Sequence, residues 1–378
     1  MLIIDLVAAL SFGYLIFAYF CLGRLNRTSE HPPVSSFQPP VTIFKPVCGL
    51  DSETEANLRS FCEQDYPEFQ IIFGLRDIND PAIPIIRKII ASYPELDTTL
   101  IIDQQLHGSN YKVSNLINMY KHAKHDVFLI ADDDMRVTRD YLNAVVSPLA
   151  DNEVGIVTCL YSGSPRGRIV SALNAMFINE WFLPSVLISE ALNKSQYCFG
   201  ATMVIRREVL ELIGGFDSLA NYLADDYMLG KLVMDHGYKI HLSHFIVKNI
   251  VQERDFSSIL SHELRWARTL RTVEPIGYAF TFLTDTLVMN CLAAVTVYLY
   301  TRQLFWPILI ISLALSARIL FHLRVKRVLN ASDAGSIWLV PFRDLLSFCI
   351  RVLSFTGNKI QWKKDSFSVD NTGLIHSK

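Results

Sequence analysis

Between Val41 and about Leu160 the chain alternates short apolar runs with helical stretches, and this alternation limits the possible folds more than any other feature. The runs at 41–47, 69–76, 98–103, 126–131 and 154–160 have strand length and composition, and 52–63, 80–93, 112–123 and 138–149 carry a helical period. Repeated β-α units of this kind predict an α/β fold with a doubly wound, mostly parallel sheet. Such sheets bind ligands in the crevice beyond the carboxyl ends of their strands. The residues that follow each run therefore matter most.

One run ends abruptly in acid: Val127 to Ala131 is apolar, and Asp132, Asp133 and Asp134 follow at once. Carboxylates at i and i+2, Asp132 and Asp134, can share one hard divalent cation such as Mg²⁺ or Mn²⁺. The same acids would also suit the amino end of the helix that starts near Thr138. Asp77 closes an earlier run ahead of Asn79-Asp80-Pro81, where acids either cap the next helix or face the crevice. The loop from His107 to Asn115 leads into a helix, and Lys112 with that helix's amino end could meet a phosphate. Residues 198–216 read as strand, turn, short helix and a Gly214-Gly215 stop. Asp225 and Asp226 then open a helix, as caps or, on a turn facing the crevice, with one of them a general base. Farther on, His262, Arg265 and Trp266 stand at helical spacing and pair cationic donors with a flat aromatic. At a juxtamembrane position they would serve equally as an interfacial anchor.

The two ends of the chain are apolar, which lifts the hydrophobic share to 51% and the mean hydropathy to +0.26. Residues 2–22 are long enough to span a bilayer. Asp5 lies near their start and Arg24 and Arg27 follow, so the positive-inside rule puts residue 23 onward in the cytoplasm. Residues 277–300 and 303–323 form two further spans, with Arg324, Lys326 and Arg327 on the cytoplasmic side. Residues 168–192 carry few charges and suit either core packing or membrane contact. Over 336–356, Arg343, Ser347, Arg351 and Ser354 share a narrow helical stripe. That pattern fits an interfacial or re-entrant helix better than a fourth span. The expected organisation is an anchor at 1–23, a linker at 24–40, a cytoplasmic domain at 41–275, a membrane region at 276–358 and a polar tail at 359–378 with Lys359, Lys363 and Lys364. A net charge of −2 and a pI near 6.6 argue against a nucleic-acid partner. Seven scattered cysteines without a CxxC pair fit a reducing compartment rather than a disulfide framework or a zinc site.

Taken in order, Asp77, the Asp132–Asp134 pair, Asp226 and His262-x-x-Arg265-Trp266 resemble the motifs of family-2-type glycosyltransferases with a GT-A fold, most closely the ceramide glucosyltransferases. The resemblance covers roughly residues 38–275 and extends to Lys45-Pro46, Asn79-Asp80-Pro81-Ala82, Lys112 with Asn115, and Gly214-Gly215. His262 stands where that family has Gln or Arg, and Asp132-Asp133-Asp134 is richer in acid than the ceramide enzymes' motif. The resemblance implies an inverting transfer of a hexose from a UDP-sugar, UDP-glucose favoured, to the hydroxyl of a ceramide-type membrane lipid. It implies that Asp77 and Lys112 hold the nucleotide, and that Asp132 and Asp134 hold the sugar diphosphate through Mg²⁺ or Mn²⁺. Asp226 would be the catalytic base, with Arg265 and Trp266 closing over the diphosphate and acceptor and His262 among the residues that bind the nucleotide sugar. N-acetylglucosaminyl transfer to a hopanoid alcohol, as in a similar bacterial relative, is the alternative. A polysaccharide synthase would need more spans, and a non-catalytic membrane scaffold would have no use for the ordered acids. The expected setting is a multi-pass membrane protein, bacterial inner membrane favoured, with its catalytic domain in the cytoplasm.

Overall fold

The computed structural model describes residues 2–25, 36–167, 169–192, 197–331, 335–357, 359–362, 365–370 and 373–377. Arg27, most of the expected linker, and Lys363 and Lys364 of the tail lie outside the described residues. The chain divides into two compact units. One comprises Thr28–Tyr161 with Ser195–Ile250, and the other Met1–Arg27, Ser162–Lys194 and Val251–Lys378.

Helix α1 (Leu2–Cys21) opens the chain, and the sheet begins with β1 (Val41–Pro46), β2 (Phe69–Leu75), β3 (Asp97–Ile102) and β4 (Val127–Ile130). These four match the first four apolar runs, and they pair in parallel. Phe44 of β1 sits between Ile72 of β2 and Ile130 of β4. Four further strands follow: β5 (Met135–Arg136), β6 (Val154–Pro165), β7 (Met203–Arg206) and β8 (Lys239–Val251). The strand order is β3-β2-β1-β4-β7-β6-β8-β5. Strand β7 runs antiparallel to both β4 and β6, so one half of the sheet is parallel and the other mixed.

Helices α2 (Thr54–Cys62), α3 (Ile83–Ser92), α4 (Tyr111–Tyr120) and α5 (Tyr141–Val146) fill the crossovers expected for them. Val113, Leu116 and Met119 of α4 pack on Phe44, Ile72 and Phe128, each fully or almost fully buried. Burial of side chains this size contributes about 1.5–3 kcal/mol apiece. Helix α4 lies so close to β2 that a Cβ on Gly74 would stand 2.2 Å from Met119 Sδ. Asn115 Nδ2 donates to the Gly74 carbonyl at 2.8 Å, which fixes the helix along the strand.

Two helices lie elsewhere in the chain, α6 (Ile169–Phe177) and α7 (Leu183–Ala191), joined by a π-helical turn at Ile178–Phe182. They belong with α1 in the other unit, and Tyr14 of α1 shares a 3.0 Å hydrogen bond with Ser185 of α7. Back in the sheet unit, α8 (Arg207–Leu212) stops at Gly214 and Gly215, whose φ of +92° and +68° only glycine adopts readily. The Gly215 N–H donates to Leu210 O at 2.8 Å, closing the helix end. Helix α9 (Asp225–Asp235) follows.

The second unit continues with α10 (Phe256–Val273), α11 (Pro275–Phe280), α12 (Thr286–Thr301), α13 (Phe305–Val328) and α14 (Leu339–Ser354). A three-stranded antiparallel sheet closes it: β9 (Lys359–Trp362), β10 (Asp365–Val369) and β11 (Ile375–Ser377). Ile3–Arg24 and Phe305–Val328 are each long and apolar enough to cross a membrane. The span expected at 277–300 differs from a straight helix, because Pro275–Thr284 and Thr286–Thr301 meet at 69°. The break falls at Asp285, whose backbone leaves the helical region (φ −86°, ψ 52°) and whose carboxylate is held by Arg351 at 2.8 Å. Counted as one broken span, the pair would be a third crossing.

Candidate active site

The end of β4 delivers Asp132, Asp133 and Asp134 to the carboxyl edge of the parallel strands. Lys45, at the end of the adjacent β1, is fully buried and donates its ammonium to the Asp132 carbonyl. Its Nζ also stands 3.7 Å from the centre of the Phe61 ring. Burial pulls its pKa down to about 8 although all three aspartates oppose that shift. Asp133 Oδ2 accepts the Cys48 N–H at 3.1 Å, and Asp134 Oδ2 accepts Asn249 Nδ2 at 2.8 Å. Burial, then the charges of Asp132 and Asp133, push Asp134 up to about 7.

Helix α4 supplies the balancing cation. Asn110 caps it, its Oδ1 accepting from Lys112 N at 2.9 Å and Val113 N at 3.1 Å. The cap thus occupies two of the N–H groups that a phosphate at this helix end would use. The Lys112 side chain turns to the acids, with Nζ 2.8 Å from Asp132 Oδ1 and 3.4 Å from Asp225 Oδ2. Burial alone would lower this ammonium, but Asp132, Asp225 and Asp226 outweigh it and hold the pKa above its ordinary value. Lys112 thereby joins the end of β4 to the start of α9.

Asp225 and Asp226 occupy the first turn of α9 and differ in environment. Asp225 is buried against Lys112. Asp226 is half-buried, and its Oδ2 accepts the Gly200 N–H at 2.9 Å while Oδ1 accepts the Tyr227 N–H at 2.8 Å. Burial, then the charge of Asp225, raises Asp226 to about 6, against Lys112 and the two N–H groups. Gly200 escaped the sequence reading, and it completes the cluster. A Cβ at this position would lie 3.1 Å from Asp132 Oδ2, 3.2 Å from Lys112 Nζ and 3.5 Å from Asp226 Oδ2. Its only signal was a glycine between Phe199 and Ala201, in a segment that otherwise reads as strand.

Asp77 sits exposed beyond β2, where its Oδ1 accepts the Asn79 N–H at 2.9 Å. The next acid, Asp80, accepts Gly49 N at 2.8 Å and Ala82 N at 2.9 Å, tying the loop after β1 to the loop after β2. His262, Arg265 and Trp266 all lie on α10, in the other unit. There His262 Nδ1 stands 3.0 Å from Glu253 Oε1, and the Trp266 ring meets His262, Phe177 and Phe182 edge-on. Neighbouring Glu263 is buried and gripped by Arg343 at 2.6 and 2.7 Å.

The cation set among acids lies at the carboxyl ends of the parallel strands, where open α/β sheets bind ligands. The model of "Glycosyl transferase family 21" matches residues 3–375. The chain belongs to that family. Family 21 membership makes it a sugar-transferring enzyme. It is 23% identical to ceramide glucosyltransferase 3 of Caenorhabditis elegans over 362 residues, covering 89% of this chain and 74% of the relative. A ceramide glucosyltransferase of Candida albicans is 37% identical over 120 residues, 28% of this chain and 22% of that one. Among solved structures, the mannosyltransferase PcManGT from Pyrobaculum calidifontis, in complex with GDP-Man and Mn²⁺, superposes with a TM-score of 0.54 at 18% identity, covering 96% of this chain and all of that one. That likeness concerns the fold, and the GT-A-like α/β sheet expected from sequence is the one observed.

Proposed function

We propose that this family 21 enzyme transfers a hexose from UDP-glucose to the hydroxyl of a membrane lipid of the ceramide type, with inversion at the anomeric carbon. The observation that carries the reading is the placement of Asp226 beside Lys112 and Asp132, with Gly200 leaving open the space a side chain would fill. Asp226 takes the proton of the lipid hydroxyl as that oxygen attacks the anomeric carbon and the nucleoside diphosphate departs. A carboxyl raised to about 6 is ionised at neutral pH yet a stronger base than an ordinary aspartate. The Gly200 and Tyr227 N–H groups orient it. Lys112 pairs with the diphosphate and Asp77 with the nucleoside, and the family resemblance assigns His262, Arg265 and Trp266 to donor binding as well.

The donor set fits a hard divalent cation. Among the described residues no group of three His, Cys, Asp or Glu side chains is placed to hold a metal. Two carboxylates nonetheless suffice for Mg²⁺ or Mn²⁺ in sites where substrate phosphates and water complete the shell. Asp132 and Asp134 would hold the ion, and when bound it supplies Lewis-acid stabilisation of the leaving diphosphate. In the same reading α1 and α13 cross the bilayer, and residues 41–275 work from the cytoplasmic side, where the nucleotide sugar is made.

The test is to incubate purified enzyme with radiolabelled UDP-glucose or UDP-N-acetylglucosamine and extracted lipids, and to identify products by mass spectrometry. A glucosylated ceramide-type lipid supports the reading. Label only on another lipid class, or only from the N-acetylated donor, overturns it.

A further inference from the structure

Helix α14 buries Leu339, Val340, Leu346 and Ile350 in a hydrophobic cluster, yet it buries its charges as well and leaves a second apolar face exposed. On a helix facing water the apolar stripe packs inward and the charges point out. Here Arg343, Asp344 and Arg351 are buried, whereas Phe342, Leu345, Val352 and Leu353 are 42–53% exposed and Cys349 is exposed beside them. Each inward charge has a partner. Arg343 forks onto Glu263 at 2.6 and 2.7 Å, Asp344 onto Arg318 at 2.7 and 2.8 Å, and Arg351 onto Asp285 at 2.8 and 3.1 Å. Paired in this way the charges tolerate burial, and the helix is left with a greasy outer face.

Two of the pairs fix the height of α14 along the candidate span α13. Arg318 lies ten residues before Val328, the last residue of α13, or about 15 Å from that end at ~1.5 Å per residue. Asp285 immediately precedes α12, whose 16 residues lead to the turn before α13, a rise of about 24 Å. Since α13 has 24 residues and rises about 36 Å, both anchors fall within its length rather than beyond its end. Helix α14 itself has 16 residues, about 24 Å, too short for a hydrocarbon core of ~30 Å.

We infer that α14 is immersed in one leaflet at hydrocarbon depth, with acyl chains covering the face formed by Phe342, Leu345, Cys349, Val352 and Leu353. The inference rests on α13 crossing the bilayer, and on nothing about the sugar or the acceptor. The exposed apolar surface of α13, Leu313 and Leu320 among it, belongs to the same unit and takes the same solvent. Arg343 then moors the helix of His262, Arg265 and Trp266 to a lipid-embedded element through Glu263.

Two native cysteines provide the test. Cys48, in the sheet unit, and Cys349 are both exposed. The full chain in nanodiscs of phosphatidylcholine and phosphatidylglycerol is treated with a charged maleimide, and the labelled peptides are quantified. Cys349 is expected to react on the order of 50-fold more slowly than Cys48, because a charged reagent is excluded from hydrocarbon. An uncharged maleimide nitroxide attached at Cys349 is expected to relax with oxygen and not with a water-soluble nickel chelate. Equal labelling of the two cysteines overturns the inference, as does a nitroxide shielded from both relaxants, which would mean a protein cover such as a second copy. A Leu313→Cys variant reports on α13 separately: if it stays protected while Cys349 labels, only the placement of α14 fails. If Leu313→Cys labels as well, the membrane crossing on which the inference rests fails with it.

Discussion

Lys112 Nζ stands 2.8 Å from Asp132 Oδ1, so a lysine from the first turn of α4 neutralises the acid at the end of β4. With Asp225 3.4 Å away on the other side, the one ammonium serves two elements far apart in sequence. Hydrogen bonds to charged groups are worth about 1.5–3 kcal/mol each. Lys112→Met is therefore expected to weaken UDP binding by roughly 10- to 100-fold, read by calorimetric titration with UDP. Unchanged affinity would remove Lys112 from the donor site.

The proposed holding of a divalent cation by Asp132 and Asp134 predicts that transfer depends on metal. Asparagine at either position takes one charge from a two-carboxylate donor set at a strand end, where the backbone remains supported by Lys45 and the Ile250 N–H. Transfer is expected to vanish in both variants while the fold, followed by circular dichroism, persists. Chelation of wild type should have the same effect, reversed by added Mn²⁺ or Mg²⁺. Full activity in excess EDTA would exclude the metal.

Gly200 gives a steric test. An alanine methyl would enter the space between Asp132, Lys112 and Asp226, at distances of 3.1–3.5 Å from their polar atoms. Gly200→Ala is expected to fold normally and to lose much of its kcat/KM, with the larger part in KM for the nucleotide sugar. Unaltered kinetics would show that the donor does not use this space.

Much of this was legible in the sequence, and the gaps have physical causes. The runs containing Phe44, Ile72 and Phe128 declared buried strands because apolar residues without alternation demand cover on both faces. The antiparallel entry of Met203–Arg206 between β4 and β6 was not legible, because an apolar run carries no sign of its direction. Asp132, Asp226 and Lys112 stood out as residue types at loop ends. The pairing of Lys112 with Asp225 depends on how α4 and α9 approach each other, which local pattern does not encode. The stripe of Arg343, Ser347 and Arg351 was visible at helical spacing. Which side of it met protein depended on distant partners at Glu263, Asp285 and Arg318.

The Arg343–Glu263 pair predicts an asymmetry in stability. Both side chains are 2% exposed, so removing one strands the other. Arg343→Met should destabilise the protein by about 3–5 kcal/mol, while replacing both partners with apolar residues should recover much of that loss. Thermal unfolding of single and double variants in the same nanodiscs measures the difference. A double variant no more stable than the single would contradict a buried pair.

The base assignment is tested most sharply by pH. Asp226 is raised to about 6 by burial and by the neighbouring charge of Asp225. Below that value it is protonated and cannot accept the proton of the acceptor hydroxyl, so kcat/KM should climb through about pH 6 and level off above it. Asp226→Asn keeps the contour of the site but not the basicity, and loss of a general base costs about 10²–10⁴ in rate. Its residual rate should lose the step near pH 6. Asp225→Asn acts in the opposite sense. It removes a negative charge beside Asp226 and leaves more of the Lys112 charge to act on it. The acidic limb should therefore move to lower pH while turnover at neutral pH stays well above that of Asp226→Asn. If instead Asp225→Asn were the inactive variant and Asp226→Asn kept its pH step, the proton acceptor would be Asp225.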